Sequence, residues 1–252
     1  MSTPIADAVQ ALDGCRQILV FTGAGLSTES GIPDFRGPNG LWRNAEPEDF
    51  SLSKYVASPE LRARNWQRRF DPERPQFEPN PAHTAIASLW NSGRMIGCVT
   101  QNIDGLHQAG GLPEQAVAEL HGNGRGIHCL DCGAEPFAPK IERRWAGGDP
   151  DPNCRACGGI LKTTVVYFGE RLPASAVAQA ATWADQADAV IAIGSTLSVY
   201  PAADVPLMVA KRARPYVIIN EGPTEHDQVA TVRVEGRAGE VLPDFVARLS
   251  VS

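Results

Sequence analysis

The stretch ILVFTGAGLSTESGIPDFRGPNGLW, residues 18–42, decides the fold of this chain. Residues 18–21 are a short apolar run that predicts a buried parallel strand leading into a turn. Gly23 and Gly25 have no Cβ, so the backbone there can adopt positive φ or lie directly against a ligand. Three hydroxyl residues that follow can cap a helix start, whose free N–H groups form an anion site: Ser27, Thr28 and Ser30. A strand, a glycine turn and a helix start together predict a bound pyrophosphate.

The glycine pattern alone leaves an alternative open. Gly23-Ala24-Gly25 lacks the third glycine of G-x-G-x-x-G, and no lysine stands where a P-loop requires one. On these residues alone, a tight turn between strand and helix with no ligand remains an equal interpretation.

Length and composition bound the protein class. The 252 residues suit one large α/β domain or a domain with an insertion. Hydrophobic residues at 43% and charged residues at 21% allow a sizeable core and disfavour disorder. The net charge of −6 disfavours a broad nucleic-acid surface. We interpret the arginines between Arg62 and Arg69 as a solvated helix face, and no direct contact with nucleic acid is expected.

The sequence predicts a cytoplasmic protein that does not enter a membrane. No apolar stretch approaches the roughly 20 residues that cross a bilayer, and residues 1–10 lack the features of a signal peptide. In a reducing compartment, the six cysteines are not expected to form disulfides.

Hydrophobic periodicity along the chain alternates between strands and helices. Predicted helices cover residues 7–15, 59–70, 83–90, 174–186 and 241–249. Predicted strands cover residues 18–21, 96–100, 117–120, 165–168, 189–193, 216–219 and 229–234. Residues 71–81 hold four prolines and are predicted to be a loop. The alternation predicts an α/β fold with a parallel sheet covered on both faces.

Residues 127–159 interrupt this alternation with cysteines, glycines and prolines. The motifs Cys129-x-x-Cys132 and Cys154-x-x-Cys157 are separated by 21 residues, one beyond the usual range for paired zinc knuckles. Four thiolates complete a tetrahedral shell and leave no open position, so we predict one structural zinc. Redox-active thiols are the disfavoured alternative. Cys15 and Cys98 lie in or beside apolar runs and are predicted to be core residues.

Polar side chains follow two of the predicted strands. Asn102 and Asp104 together could recognise a carboxamide, which offers both an acceptor and donors. His121 titrates near neutral pH, as a general base should. Each of these residues also has a structural interpretation, as a turn or capping residue or as a buried structural histidine.

The stretches STESGIPDFRG, NWQRRF, CLDCG and GPT (residues 222–224) look nearest to class II of the sirtuins. Taken together and in order, seven motifs resemble those of the sirtuins, NAD-dependent protein deacylases. The motifs are GAGLSTESGIPDFR, TQNIDGLH, ELHG, the paired CxxC, VVYFGE, GSTLSVYP and IINEG, between Ile18 and about Leu249. The resemblance implies a Rossmann-like domain over 1–126 and 160–252, a helical cofactor-loop insertion at about 35–82 and a structural zinc module over 127–159. It also implies a cleft between domain and module that holds NAD and an acyl-lysine peptide.

The resemblance also implies a set of binding residues. For the NAD phosphates and ribose they are Gly23, Ala24, Gly25 and Ser27, with Asp34, Phe35 and Arg36 in the cofactor loop. For nicotinamide and its ribose they are Gln101, Asn102, Ile103 and Asp104. For the adenosine half they are Gly194, Ser195, Thr196, Asn220, Glu221, Gly222 and Ala238. The peptide is expected as an added strand between residues 166–170 and 196–200, against Val166, Phe168, Gly169, Glu170, Leu197 and Val199.

The implied reaction consumes NAD as a co-substrate. The acyl oxygen attacks C1′ of the nicotinamide ribose, nicotinamide leaves, and a histidine deprotonates a ribose hydroxyl that then attacks the imidate. His121 matches that histidine, Asn102 and Asp104 complete the catalytic set, Phe35 shields the reactive ribose, and 2′-O-acyl-ADP-ribose is the second product. Two alternatives are a protein mono-ADP-ribosyltransferase and a non-catalytic NAD-sensing interaction module. The implied partners are acyl-lysine proteins, and the sequence is compatible with a monomer.

Two departures from the family pattern bear on the substrate. Residues 162–164, Lys-Thr-Thr, stand where the family often has proline and aspartate, which predicts a changed edge of the peptide groove. Residues 66–69, Trp-Gln-Arg-Arg, stand where sirtuins that prefer succinyl or malonyl groups carry Tyr-x-x-Arg. A preference for acidic acyl groups is therefore not supported, and the acyl group stays open.

Overall fold

The structure is a computed structural model that describes residues 3–37, 40–43 and 46–251. Two compact units make up the chain. The sheet unit contains residues 1–40, 77–120 and 173–252, and the cysteine unit contains residues 41–76 and 121–172. Parts of the predicted cofactor-loop insertion, residues 38–39 and 44–45, lie outside the described residues.

The helices and strands are as follows, each in chain order. The helices are α1 (Pro4–Ala11), α2 (Leu52–Ala57), α3 (Pro59–Phe70), α4 (Pro81–Asn91), α5 (Leu106–Ala109), α6 (Ala138–Ala146), α7 (Ala174–Gln186), α8 (Asp204–Ala210) and α9 (Ala238–Val251). The strands are β1 (Ile18–Thr22), β2 (Met95–Thr100), β3 (Val117–Glu119), β4 (Ile127–Cys129), β5 (Leu161–Thr163), β6 (Ala189–Ile193), β7 (Tyr216–Asn220) and β8 (Val232–Glu235).

A parallel sheet with the strand order β3-β2-β1-β6-β7-β8 forms the centre of the sheet unit. The chain builds outward from β1 to β3, then returns to the other side of β1 and builds outward from β6 to β8. The order therefore reverses between β1 and β6, where doubly wound sheets bind ligands beyond the carboxyl ends of their strands. The predicted Rossmann-like parallel sheet is confirmed.

Two apolar cores cover the two faces of this sheet. Along β1, Ile18 and Val20 pack into the core formed with α1, α4 and α9, whereas Leu19 and Phe21 pack into the core formed with α7 and α8. Side chains on a strand alternate between faces, so a strand buried on both faces is apolar throughout. This is why the short apolar run at residues 18–21 predicted its strand correctly.

The cysteine unit consists of α2, α3, α6 and the antiparallel pair β4–β5. Its main core contains Trp66, Ile141 and Leu161 together with Cys129 and Cys154. Residues 127–159, predicted to be a module, lie within this unit beside residues 41–76. That they fold as a separate domain stays a prediction.

Most predicted elements are confirmed, and α3, α7 and β6 have the predicted bounds. The first helix begins earlier than predicted, at Pro4 instead of residue 7, and ends at Ala11. Thr3 accepts a hydrogen bond from the backbone of Ala6 and Pro4 occupies the first turn, so the N-terminal cap lies before the apolar pattern begins.

Two strand predictions are corrected. The strand predicted over 229–234 is β8, which begins only at Val232, because the N–H groups of residues 229 and 230 donate to the carbonyl of His226 in a turn. The segment 165–168 is not a strand of the sheet. It lies in the cysteine unit, where the described residues give it an isolated bridge between Phe168 and Ser51.

Among the residues that the structure describes, no helix combines the length and the apolar character that crossing a membrane requires.

Candidate functional site

The glycine turn after β1 packs directly against the residues that follow β6, at the point where the strand order reverses. The N–H of Gly25 donates to the carbonyl of Gly194 at 2.8 Å. A Cβ on Gly25 would lie 2.9 Å from the Cα of Gly194, and one on Gly23 would lie 2.8 Å from the Cβ of Ser195. These glycines are required by the close approach of two backbones.

The helix predicted to start after the glycine turn is corrected. Residues 24–26 and 28–30 form two short 3₁₀ turns. The hydroxyl of Ser27 does not cap either turn, because it donates to Oδ2 of Asp104 at 2.8 Å. Gly31, at φ +90°, then ends the second turn. The predicted anion site at an α-helix terminus is therefore not formed here.

Three predicted site residues form one hydrogen-bonded cluster, which we call the polar cluster: Ser27, Asn102 and Asp104. The amide of Asn102 donates to the hydroxyl of Ser27 at 3.2 Å and to the carbonyl of Gly23 at 3.1 Å. The second carboxylate oxygen of Asp104 accepts from the N–H of Leu106 at 2.9 Å. The cluster joins the turn after β1 to the turn after β2 and fixes the orientation of each of its side chains.

The neighbouring predicted residues lie at the same edge of the sheet. Gln101 donates to the hydroxyl of Ser195 at 2.9 Å, which joins the ends of β2 and β6. Phe35 and Ile103 are apolar side chains that remain 36% and 38% exposed. Asp34 accepts from the N–H of Gly37 at 2.9 Å, which shapes the turn after Phe35. Two more predicted NAD-binding residues precede β2: Arg36 is exposed and Ala24 is half-buried.

Residues predicted for the adenosine half follow β6, β7 and β8. The side chain of Asn220 donates to the carbonyls of Glu221 at 3.0 Å and Gly222 at 2.9 Å. The carbonyl of Thr196 accepts from the N–H of Glu225 at 3.0 Å. Ala238 is buried at the first position of α9. The carboxyl ends of parallel strands lie at one edge, so the fold brings these residues to the same edge as the glycine turn.

The segment 196–200 contains a backbone conformation that is rare for its residue. Leu197 has φ of +57° and a fully buried side chain, and its N–H donates to the hydroxyl of Ser195 at 3.1 Å. Only the backbone of Leu197 can therefore meet a ligand, whereas Val199 is half-buried. A left-handed conformation at a non-glycine residue costs of order 1–3 kcal/mol and is found mostly at functional sites.

Beneath the polar cluster lies a buried pair of histidines that the sequence analysis did not identify. Nε2 of His107 lies 2.8 Å from the hydroxyl of Thr22 and 3.2 Å from that of Thr100. The ring of His83 lies 5.4 Å from that of His107, between centroids. Burial lowers the pKa of His107 to about 3 and that of His83 to about 4. Asn80-Pro81-x-His83 at the start of α4 is a capping box, a signal that could have located His83.

We expect the free energy of unfolding to fall as the pH is lowered from about 6.5 towards 4. Above this range both histidines are neutral in the folded and the unfolded chain. Within it the unfolded chain takes up protons that the folded chain, with pKa values of about 3 and 4, does not. Urea unfolding at about pH 7.5 and about pH 5 measures the loss. In a His107→Gln variant that loss should be about 2 kcal/mol smaller, and an equal loss would contradict the assignment.

His121 is the second residue after β3 and the first residue of the cysteine unit. Its side chain is half-buried, and its carbonyl accepts from the N–H of Val166 at 2.8 Å. The predicted peptide residues Val166, Phe168, Gly169 and Glu170 lie in the same unit, and of these Phe168 and Gly169 are exposed.

The four cysteines of the paired motifs converge in a candidate metal centre. Their sulfur atoms all lie within 4.8 Å of one another, with Cys129 to Cys157 at 3.5 Å and Cys132 to Cys154 at 3.8 Å. A tetrahedral zinc with bonds of about 2.3 Å requires sulfur separations of about 3.8 Å, so the donor set fits zinc.

Two equivalent turns present these thiols. In each, a glycine at positive φ follows the second cysteine and donates its N–H to the carbonyl of the first: Gly133 to Cys129 at 3.0 Å and Gly158 to Cys154 at 2.8 Å. Backbone N–H groups hold the pKa of Cys154 at about 7, which favours the thiolate that binds metal. The predicted structural zinc site is confirmed as a four-cysteine cluster.

Comparisons with known proteins agree with this geometry. The chain is 42% identical over 236 residues to NAD-dependent protein deacetylase 2 of Streptomyces coelicolor, covering 92% of this chain and 97% of the relative. It is 41% identical to NAD-dependent protein deacylase 2 of Archaeoglobus fulgidus, covering 98% and 96%. A solved structure described as "Sir2-p53 peptide-NAD+" matches with a TM-score of 0.83 and 32% identity, covering 100% of both chains.

A second solved structure, described as "Structural Basis for the Mechanism and Regulation of Sir2 Enzymes", matches with a TM-score of 0.88 and 40% identity, covering 100% of this chain and 99% of that one. The Sir2 family profile matches residues 23–201, which include the glycine turn, the polar cluster, His121 and the four cysteines. This chain belongs to the Sir2 family.

Proposed function

We propose that this protein is an NAD-dependent protein-lysine deacetylase that releases nicotinamide and 2′-O-acyl-ADP-ribose. The observation that carries the proposal is the polar cluster of Ser27, Asn102 and Asp104, fixed beside the glycine turn where the strand order reverses. Relatives that are 41–42% identical over nearly their whole length are named NAD-dependent protein deacetylases or deacylases.

In this proposal NAD lies along the edge formed by the carboxyl ends of β1, β2, β6 and β7. The glycine turn and residues 194–196 receive the phosphates and riboses, and residues 220–222 with Ala238 receive the adenosine half. An amide and a carboxylate whose orientations are already fixed lose little entropy on binding, which favours one pose of the nicotinamide ribose. The partly exposed apolar side chains of Phe35 and Ile103 offer apolar contact near that pose.

His121 acts as the general base in this proposal. It accepts the proton of a ribose hydroxyl after nicotinamide has left, and the cofactor supplies the electrophilic carbon. The acyl-lysine peptide pairs with the backbone of residues 166–170. Zinc keeps its four thiolate ligands throughout and has no open position for the substrate, so its contribution is structural.

Mass spectrometry of the full chain with NAD and a panel of acetyl-, succinyl-, lipoyl- and long-chain acyl-lysine peptides tests the proposal. We expect nicotinamide, free lysine peptide and acyl-ADP-ribose in equal amounts, with acetyl-lysine turned over. Nicotinamide release with ADP-ribose gained on protein and no free lysine would replace the proposal with ADP-ribosyl transfer. Absence of nicotinamide with every peptide would favour the NAD-sensing module.

Replacing Gly25 by alanine should weaken NAD binding by at least about tenfold and lower stability by about 1–3 kcal/mol. The added Cβ would lie 2.9 Å from both the Cα and the carbonyl oxygen of Gly194, so the turn must move away from the residues after β6. Calorimetric titration with NAD and urea unfolding measure the two effects.

Gly93→Ala is the matched control for this variant. Gly93 has φ of +74° but nothing within 4 Å of an added Cβ. The control should lose about 1 kcal/mol through backbone strain alone and keep wild-type NAD affinity. Equal NAD affinities for the two variants would show that the glycine turn does not form part of the NAD site.

A further inference from the structure

The cysteine unit contains a charged side chain that is almost completely buried. Lys162, in β5, is 1% exposed, and its ammonium lies 2.9 Å from Oε2 of Glu170, which is 14% exposed. The same ammonium donates to the carbonyls of Thr163, at 3.0 Å, and Val165. Burial lowers the pKa of Lys162, and Glu170 opposes that shift by favouring the charged form.

Tyr167 completes this arrangement, which we call the Lys162 clamp: Lys162, the carbonyls of Thr163 and Val165, the ring of Tyr167 and the carboxylate of Glu170. The ammonium lies 4.5 Å from the centroid of the Tyr167 ring, a cation–π contact. Oε2 of Glu170 also accepts from the N–H of Tyr167 at 2.6 Å. One ion pair thus binds backbone groups at three successive odd-numbered positions, 163, 165 and 167.

The clamp supplies part of the backbone contacts of the segment that follows β5. β5 ends at Thr163, and among the residues that the structure describes the following segment pairs with no strand and forms one isolated bridge, at Phe168. Residues 163 and 164 are threonines, so φ at these positions is not fixed by a ring as it would be in proline. The N–H groups at positions 164, 166 and 168 donate to backbone carbonyls of Gly126, His121 and Phe50. The ion pair binds the backbone groups at the alternate positions 163, 165 and 167, so the conformation of residues 163–170 depends on both sets of contacts.

The net contribution of such a pair to stability is small, because desolvating two charges offsets their attraction. A well-packed apolar side chain would often be as stable. What an apolar side chain cannot do is bind two carbonyls and a carboxylate in one geometry. The effect of the clamp is thus on the shape of this segment.

We propose that Lys162 is a positioning residue that sets the affinity of the enzyme for its acyl-lysine peptide. It holds residues 166–170 in the conformation that pairs with the peptide backbone, while its own side chain touches neither peptide nor NAD. The inference rests on the proposed function, in which this segment contacts the peptide.

The double variant Lys162→Met/Glu170→Gln tests this inference. It removes both charges with side chains of similar length, so no buried charge is left unpaired and the cysteine unit should fold. Binding of a fluorescent acetyl-lysine peptide, binding of NAD, and zinc content are measured in the full chain, together with the KM for peptide. Lys162→Arg, which keeps the charge, is the conservative variant.

We expect the double variant to bind the peptide about tenfold more weakly or worse, with an equal rise in its KM. It should also bind more weakly than Glu170→Gln alone, the control for the predicted peptide contact of Glu170, and equal losses in these two variants would overturn the role of Lys162. NAD affinity and zinc content should remain at wild-type values, and Lys162→Arg should recover part of the peptide affinity. Wild-type peptide affinity in the double variant, or equal losses of peptide and NAD affinity, would overturn the inference and leave the proposed deacetylase intact. A wild-type protein that binds no acyl-lysine peptide would overturn both.

Discussion

His121→Ala should lower the kcat/KM for deacetylation by about 10²–10⁴-fold, the range associated with losing a general base. Alanine cannot accept the proton of the ribose hydroxyl, so the hydroxyl must attack the acyl carbon without a general base. NAD affinity should stay near the wild-type value, because His121 is not among the residues proposed to hold NAD and acts only after nicotinamide has left. Steady-state kinetics with acetyl-lysine peptide and calorimetric titration with NAD measure the two quantities.

Exchange of labelled nicotinamide into NAD separates the role of His121 from a folding defect. In the proposed order of steps, nicotinamide leaves before the base acts, so exchange should persist in His121→Ala when peptide is present. Loss of exchange together with deacetylation would indicate a damaged site. Deacetylation at the wild-type rate would remove His121 from the role of base, and another group would have to be sought.

Removal of zinc should unfold the cysteine unit, and this is the largest effect on stability that we expect. Structural zinc contributes apparent free energies of about 10–16 kcal/mol in zinc-finger peptides at neutral pH. Whole domains are stable by only about 5–15 kcal/mol, so the unit should not survive the loss. Elemental analysis should find about one zinc per chain, and Cys132→Ser should lower both zinc content and melting temperature.

Cys15→Ser is the matched control for the zinc prediction. Cys15 is half-buried in the sheet unit, away in sequence from both CxxC motifs, so this variant should keep its zinc. The two cores of the sheet unit are built from residues of that unit alone, among those described. We therefore expect far-UV circular dichroism of Cys132→Ser to retain the signal of that unit. Full zinc in Cys132→Ser, or none in the wild type, would contradict a four-thiolate centre.

The sequence by itself determined the elements whose signals are local. α3 begins at Pro59 because Ser58 caps it, and α7 and β6 have the bounds that apolar periodicity predicts. The zinc centre followed from cysteine spacing, because each CxxC turn presents two thiols within a few residues. Periodicity predicted the α/β class and the parallel sheet, whereas resemblance to the sirtuins supplied the Rossmann-like type and the NAD chemistry.

Local signals failed where a distant residue supplies the partner. The turn after Gly25 looked like a helix start, yet the hydroxyl of Ser27 bonds to Asp104, 77 residues away along the chain. Residues 165–168 looked like a strand, yet the carbonyl of Val165 and the N–H of Tyr167 bond to the side chains of Lys162 and Glu170. The N–H groups of residues 166 and 168 bond to the carbonyls of His121 and Phe50, outside any strand of the sheet. The nine-residue helix α6 was not predicted, because the cysteines and glycines around it concealed its apolar periodicity.

Tertiary structure therefore decided which backbone groups and charges meet. The approach of Gly25 to Gly194 requires the order of strands β1 and β6, which no stretch of a few residues encodes. A lysine in a sequence predicts an exposed side chain, and Lys162 is buried only because its carboxylate partner and two carbonyls are folded around it. Propensities and spacings depend on neighbours within a turn or two, whereas the partner of a buried polar group is set by the packing of separate segments.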